Sequence, residues 1–120
     1  MIVSRRWQGR IRPEMQDAFI SHLSTTSLPD FAVTPGNLGY LVEHRQENDY
    51  FLVVVTSFWE SLDAIRAFAG DEYENAKVYS GDDRFICDKE MSIGHYVVEA
   101  ALVGSLSENL CARSTVGTHR

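Results

Sequence analysis

The stretch DYFLVVVTSFW, Asp49 to Trp59, carries hardly a polar side chain between its first residue and its last. A strand sends alternate side chains to opposite faces. Phe51, Val53 and Val55 therefore point one way, and Leu52, Val54 and Phe58 the other. A strand in a sheet with one wet side alternates apolar with polar residues, so this strand needs cover on both faces.

Working outward, the chain upstream supplies a partner strand. In Leu38 to Gln46, Tyr40 and Val42 share one face and Leu41 takes the other, and Glu47, Asn48 and Asp49 make a short polar turn into the apolar run. Further upstream, IVSRRWQGRI, Ile2 to Ile11, alternates. Val3, Trp7 and Ile11 lie on one face, and Ser4, Arg6, Gln8 and Arg10 on the other. Arg12-Pro13 ends that strand. PEMQDAFISHL then reads as a helix with Met15, Ala18, Phe19, His22 and Leu23 in one stripe, and STTSLPD breaks it. Downstream, ESLDAIRAFAG is a second helix. Ser61 is its N-cap, Asp63 lies in its first turn, and Gly70 is placed to stop it in a left-handed turn. DEYENAKVYSGDDRFICDK is a polar connection with room for a short helical turn, and MSIGHYVVEAA is a fourth strand.

The order β-α-β-β-α-β predicts an α+β, ferredoxin-like unit: a four-stranded antiparallel sheet, strands one and three central, with both helices on one face. Those helices leave the second face of the central strand bare. Exposing about three of its large side chains would forgo roughly 1.5–3 kcal/mol each and leave a contiguous apolar patch. A second copy packed on the same face solves this, as a homodimer that closes a dimeric α+β barrel. Charges on that face need partners or a place at the rim, and Glu43 with a first-strand arginine is the expected pairing. Residues 1–100 form the domain, and residues 101–120 form an extension with a short helix that Ser105 and Glu108 cap reciprocally before the chain frays at RSTVGTHR.

Composition narrows the class. With 44% hydrophobic and 23% charged residues over 120 positions, the chain is one globular domain. A formal net charge of −6 disfavours nucleic acid as a partner. No apolar run is long enough to span a bilayer, and Arg5, Arg6 and Trp7 arrive where a signal peptide would be apolar. Cys87 and Cys111 form no CxxC and have no His at ligand spacing, which reads as two reduced thiols in a cytoplasmic protein. No HxH, HExxH, GxGxxG or phosphate-binding loop is present, so neither a metal nor a nucleotide cofactor is expected.

FWESLDAIRAFAG, TPGNLGY and GHYVVE, spaced as they are, resemble the antibiotic biosynthesis monooxygenase family over roughly Met1 to Ala100. The resemblance implies a dimeric α+β barrel with a small cavity between sheet and helices in each subunit. It also implies chemistry such as the cofactor-independent oxidation of phenols to quinones by O2. Haem-degrading relatives use a first-strand Asn, a helical His and a Trp. This first strand has no Asn and no helical His follows Trp59, so haem degradation is not expected.

The reaction needs a base, because the phenolate is what gives an electron to O2. His95 is the first candidate, with Trp59 as a flat wall and Arg84 as an anion clamp. Trp7, His22 and Tyr96 are candidate substrate-binding residues, with His22 the second candidate base, although Tyr96 points to the opposite face from His95. Each has a structural alternative: Trp59 and Trp7 in the core, the histidines as hydrogen-bonded structural groups, and Arg84 on the surface beside Asp82 or Asp83. The function expected is oxidation of a small aromatic substrate by O2. The alternatives are a non-catalytic dimer that binds a small molecule, or a structural or stress-related dimer with a filled cavity.

Overall fold

The computed structural model describes residues 1–77, 79–86 and 92–116. Four strands, β1 (Val3–Ile11), β2 (Asn37–Glu47), β3 (Tyr50–Trp59) and β4 (Ser92–Val97), form one antiparallel sheet in the order β2-β3-β1-β4. The apolar stretch is thus a central strand, hydrogen-bonded on both edges, and β1 is the other. Helices α1 (Gln16–Thr25), α2 (Ser27–Val33) and α3 (Leu62–Ala69) accompany the sheet, and α4 (Leu106–Val116) follows it. Cys87 and His119 lie outside the described residues, as does Met91 at the expected start of the fourth strand.

The core follows the two periods. From β1 and β3 it takes Val3, Ile11, Val53, Val55 and Trp59, and from the helices Phe19, Leu23, Phe31 and Ile65. Pro13 opens a single 3₁₀ turn ahead of α1, where its missing N–H costs nothing. Of the expected stripe on α1, Phe19 and Leu23 are buried and Ala18 is exposed.

The segment STTSLPD is a correction. It does not break into a loop but enters α2, because Pro29 sits in the first turn, where proline is tolerated. Phe31 from α2 then packs on Trp59 and Phe68, so three helices cover the inner face instead of two. Ser61 caps α3 as expected, its Oγ accepting from the Ala64 N–H at 3.1 Å. Gly70 ends α3 at φ 90° and ψ −178°, a positive φ but not the left-handed helical turn foreseen. Gly36, at φ +88°, brings its carbonyl to the Glu60 N–H at 2.9 Å; a Cβ there would lie 2.6 Å from Ala64 Cβ, so the start of β2 docks closely on the start of α3.

The outer face carries Leu52, Val54 and Phe58, all half-buried in the single chain. Within one chain Glu43 makes no ion pair with a first-strand arginine among the described residues, although it lines the same surface hollow as Arg6. The Arg–Glu contact forms at the hairpin end instead, Arg10 Nε to Glu47 at 3.7 Å. In the extension, Ser105 Oγ accepts from the Asn109 side-chain amide at 3.0 Å, so Asn109 and not Glu108 makes the contact there. No helix among the described residues is long and apolar enough to cross a membrane.

Candidate active site

The inner face of the sheet and the helices enclose a cleft of about 60 Å³. Its apolar wall is Trp7, Phe19, Phe31, Val55, Phe68 and Ile93, taken from both central strands, three helices and β4. Its polar lining is Arg5, Thr26, Ser27, Lys77, Tyr79 and Asp82. Trp7 can lie over the sheet because position 9 is glycine: a Cβ on Gly9 would fall 2.6 Å from the Trp7 indole.

Arg5 belongs to the same strand face as Val3, Trp7 and Ile11, opposite Ser57 on β3 and His95 on β4. It is 5% exposed. Its guanidinium donates to the backbone oxygens of Tyr73 and, at 3.0 Å, Asn75, and approaches His95 Nε2 at 3.0 Å. Arginine has only donors, so Nε2 of His95 accepts and the ring hydrogen sits on Nδ1. Burial, and then the charge of Arg5, hold the His95 pKa below its ordinary value, which keeps the imidazole neutral at pH 7. No carboxylate pairs with Arg5 among the described residues; carbonyls orient the cation without neutralising it.

The remaining cationic and acidic groups of the cleft are matched. Lys77 Nζ binds Asp30 at 3.0 Å and lies 4.1 Å from the centre of the Phe68 ring. Tyr79 donates its hydroxyl to Asp30 at 2.5 Å; burial, then Asp30, push its pKa up, so it remains a phenol. Asp82 takes the Tyr79 backbone N–H on Oδ2 at 2.7 Å and His22 Nε2 on Oδ1 at 2.6 Å. His22 stacks on Phe85 and presents only 8% of its side chain to solvent. Ser27 Oγ, at a residue 7% exposed, has no hydrogen-bond partner among the described residues.

The sequence candidates therefore separate. Trp7 lines the cleft, and His22 stands behind its wall through Asp82. His95 reaches the site through Arg5, with the lone pair a base would use already taken. Trp59 is a correction: it is fully buried, its Nε1–H bonded to Ser57 Oγ at 2.8 Å, and it packs on Phe68 as core. Arg84 is exposed, its guanidinium over the Phe85 ring at 4.8 Å, and is not part of the cleft lining. Tyr96 is 52% exposed on the outer face, beneath the Arg6 guanidinium, because β4 alternates and His95 holds the inner side. Arg5 was legible from the period of β1 alone. Ser27 and Asp82 carried no such signal, since both come from segments read as loop. No cluster of three metal-ligating side chains occurs among the described residues.

The profile of the family described as antibiotic biosynthesis monooxygenase matches residues 2–76. The chain belongs to this family. The match takes in Arg5, Trp7 and Ser27 and stops before Lys77, Tyr79 and Asp82. Solved structures share the fold of this monooxygenase-family domain. A mutant of SnoaB, a cofactor-independent oxygenase from Streptomyces nogalater, is similar with a TM-score of 0.54 and 14% identity, over 86% of this chain and 98% of that one. A mutant of MhuD with two manganese protoporphyrin IX bound per active site is similar with a TM-score of 0.61 and 17% identity, over 85% and 99%. A protein from Methanosarcina mazei Go1 gives 0.59 and 18%, over 80% and 91%. At these identities the likeness speaks for the fold, not the reaction. None of the curated proteins matches the sequence.

Proposed function

We propose that this domain oxidises a small phenol with O2 and without a cofactor, as a homodimer joined through the outer face of its sheet. The observation that carries the reading is an aromatic cleft with a carboxylate in its lining: Asp82 lines the same cleft as the rings of Trp7, Phe19 and Phe31 and is backed by His22 at 2.6 Å. A bound phenol gives its proton to Asp82, and His22 holds the carboxylate in place. The phenolate passes one electron to O2, leaving a phenoxyl radical and superoxide. These combine at the ring carbon para to the oxygen, Asp82 returns its proton to the peroxide, and the hydroperoxide loses water to give the quinone. A phenol and one O2 thus yield a quinone and one water, with no outside reductant.

The cleft volume bears on substrate size. About 60 Å³ is less than the roughly 150 Å³ of a cavity that takes benzene. Even one ring enters only as the walls part, so single-ring phenols suit the site better than fused polycycles. Haem degradation stays outside the proposal, since β1 has no Asn and α3, after Trp59, has no His.

Oxygen uptake with a panel of single-ring phenols and hydroquinones tests the reaction. Wild type should consume O2, Asp82→Asn should lose about 100-fold or more, and His95→Ala should retain more activity than Asp82→Asn. Absence of uptake with every phenol would leave a small-molecule-binding module of the same fold.

A further inference from the structure

Arg5 and Ser27 are two observations that the proposed oxygenation does not use. A guanidinium stays charged in proteins, and this one is buried on the inner face of a central strand with no carboxylate partner among the described residues. Its partners, the carbonyls of Tyr73 and Asn75 and the His95 ring, engage three of its five N–H donors. Two donors are left without a partner among the described residues. Ser27 Oγ, on α2 in the same cleft, is likewise without a partner. Native proteins seldom leave buried polar atoms unmatched, and those that persist call for an explanation such as an absent ligand. The other cation of the cleft, Lys77, has Asp30, and the one carboxylate of the lining, Asp82, has His22 and the Tyr79 N–H. Both Asp82 oxygens are thus engaged by donors, while Arg5 keeps two N–H groups open and has no carboxylate beside it among the described residues.

We infer that the ligand of the cleft is a single-ring aromatic carboxylate, its carboxylate held by Arg5 and by the hydroxyl of Ser27. The inference rests on the same aromatic cleft as the proposed oxygenation and names the class of substrate, a hydroxyaryl acid. A carboxylate accepts two parallel N–H bonds from a guanidinium as well as a hydroxyl hydrogen, which matches what Arg5 and Ser27 leave open. His95 then acts as a positioning residue: its acceptor nitrogen helps to hold the guanidinium in the cleft.

Isothermal titration with benzoate and with benzamide, its neutral counterpart of the same shape, tests this on the whole chain. Benzoate should bind, benzamide at least tenfold more weakly. Ser27→Ala should weaken benzoate about tenfold while leaving benzamide nearly unchanged, and Arg5→Gln should abolish the preference for the anion. Equal binding of the two probes to wild type, or benzoate binding untouched by Ser27→Ala, would overturn the inference even if Arg5→Gln fails to fold. Binding of 4-nitrophenolate, but not of benzoate, would also overturn it, since the anionic oxygen would then be phenolic. Benzoate has no hydroxyl to oxidise, so its binding is independent of turnover. Tight benzoate binding with no O2 uptake by any phenol sinks the oxygenase reading and leaves this one standing.

Discussion

Arg5 and His95 are cross-strand neighbours on the inner face of the sheet, with Nη1 of one 3.0 Å from Nε2 of the other. The contact requires a neutral imidazole, since a protonated ring has no lone pair to offer. Burial and the adjacent cation push the pKa of His95 down in the fold, while an unfolded histidine titrates near its ordinary value of about 6.5. Between those two values the unfolded chain holds more protons, so stability is complete above about pH 6.5 and declines as pH falls toward the folded value. Urea midpoints for wild type should drop between pH 7.5 and pH 5.5, and the drop should shrink in His95→Gln. Identical pH dependence in the two proteins would show that His95 is not held neutral. Asp30, where burial raises the pKa but hydrogen bonds from Tyr79 and Lys77 lower it further, adds its own loss only at more acid pH.

Trp59 and Arg84 should part company in a stability experiment. Trp59→Ala removes a fully buried ring and should cost about 3–5 kcal/mol by denaturant unfolding. Arg84→Ala touches an exposed side chain and should stay within about 0.5 kcal/mol, with benzoate affinity unchanged. A loss of ligand binding in Arg84→Ala would return it to the site.

Gly9 sets the position of Trp7. Any side chain there meets the indole at 2.6 Å, and Trp7 has the cleft on its other side. Gly9→Val should destabilise by about 1–3 kcal/mol and weaken benzoate binding as the ring is forced into the cleft. Unchanged affinity would mean that the ring can turn away without loss.

The outer face offers a separate test. Leu52, Val54 and Phe58 stand on a sheet surface that the three helices do not reach. Sedimentation at micromolar concentration should give twice the chain mass for wild type, and Val54→Arg should give a single chain with its far-ultraviolet circular dichroism retained. A wild-type mass of one chain would remove the dimer.

The elements whose residues repeat at a clear period were readable in advance. β3 announced itself by apolar residues on both faces, and its place between β1 and β2 followed from the split βαβ order. The N-cap at Ser61 was readable for the same reason: a local rule with a local cause. What escaped was tertiary. Pro29 looks like a break, yet it occupies a first turn, and the helix it enters brings Phe31 and Ser27 to the cleft. Arg5 obeys the alternation of β1, but a buried arginine runs against the usual cost of burying charge. Asp82 reaches the site only because the segment after α3 folds back over α1, which no local pattern encodes.

The two tryptophans differ in surroundings. Trp59 is sealed in the interior with its N–H satisfied by Ser57, and Trp7 borders the cleft. One indole therefore emits from a constant environment while the other senses whatever occupies the pocket. The folded chain carries its own optical reporter beside an internal reference, and occupancy can be followed by emission without attaching a label.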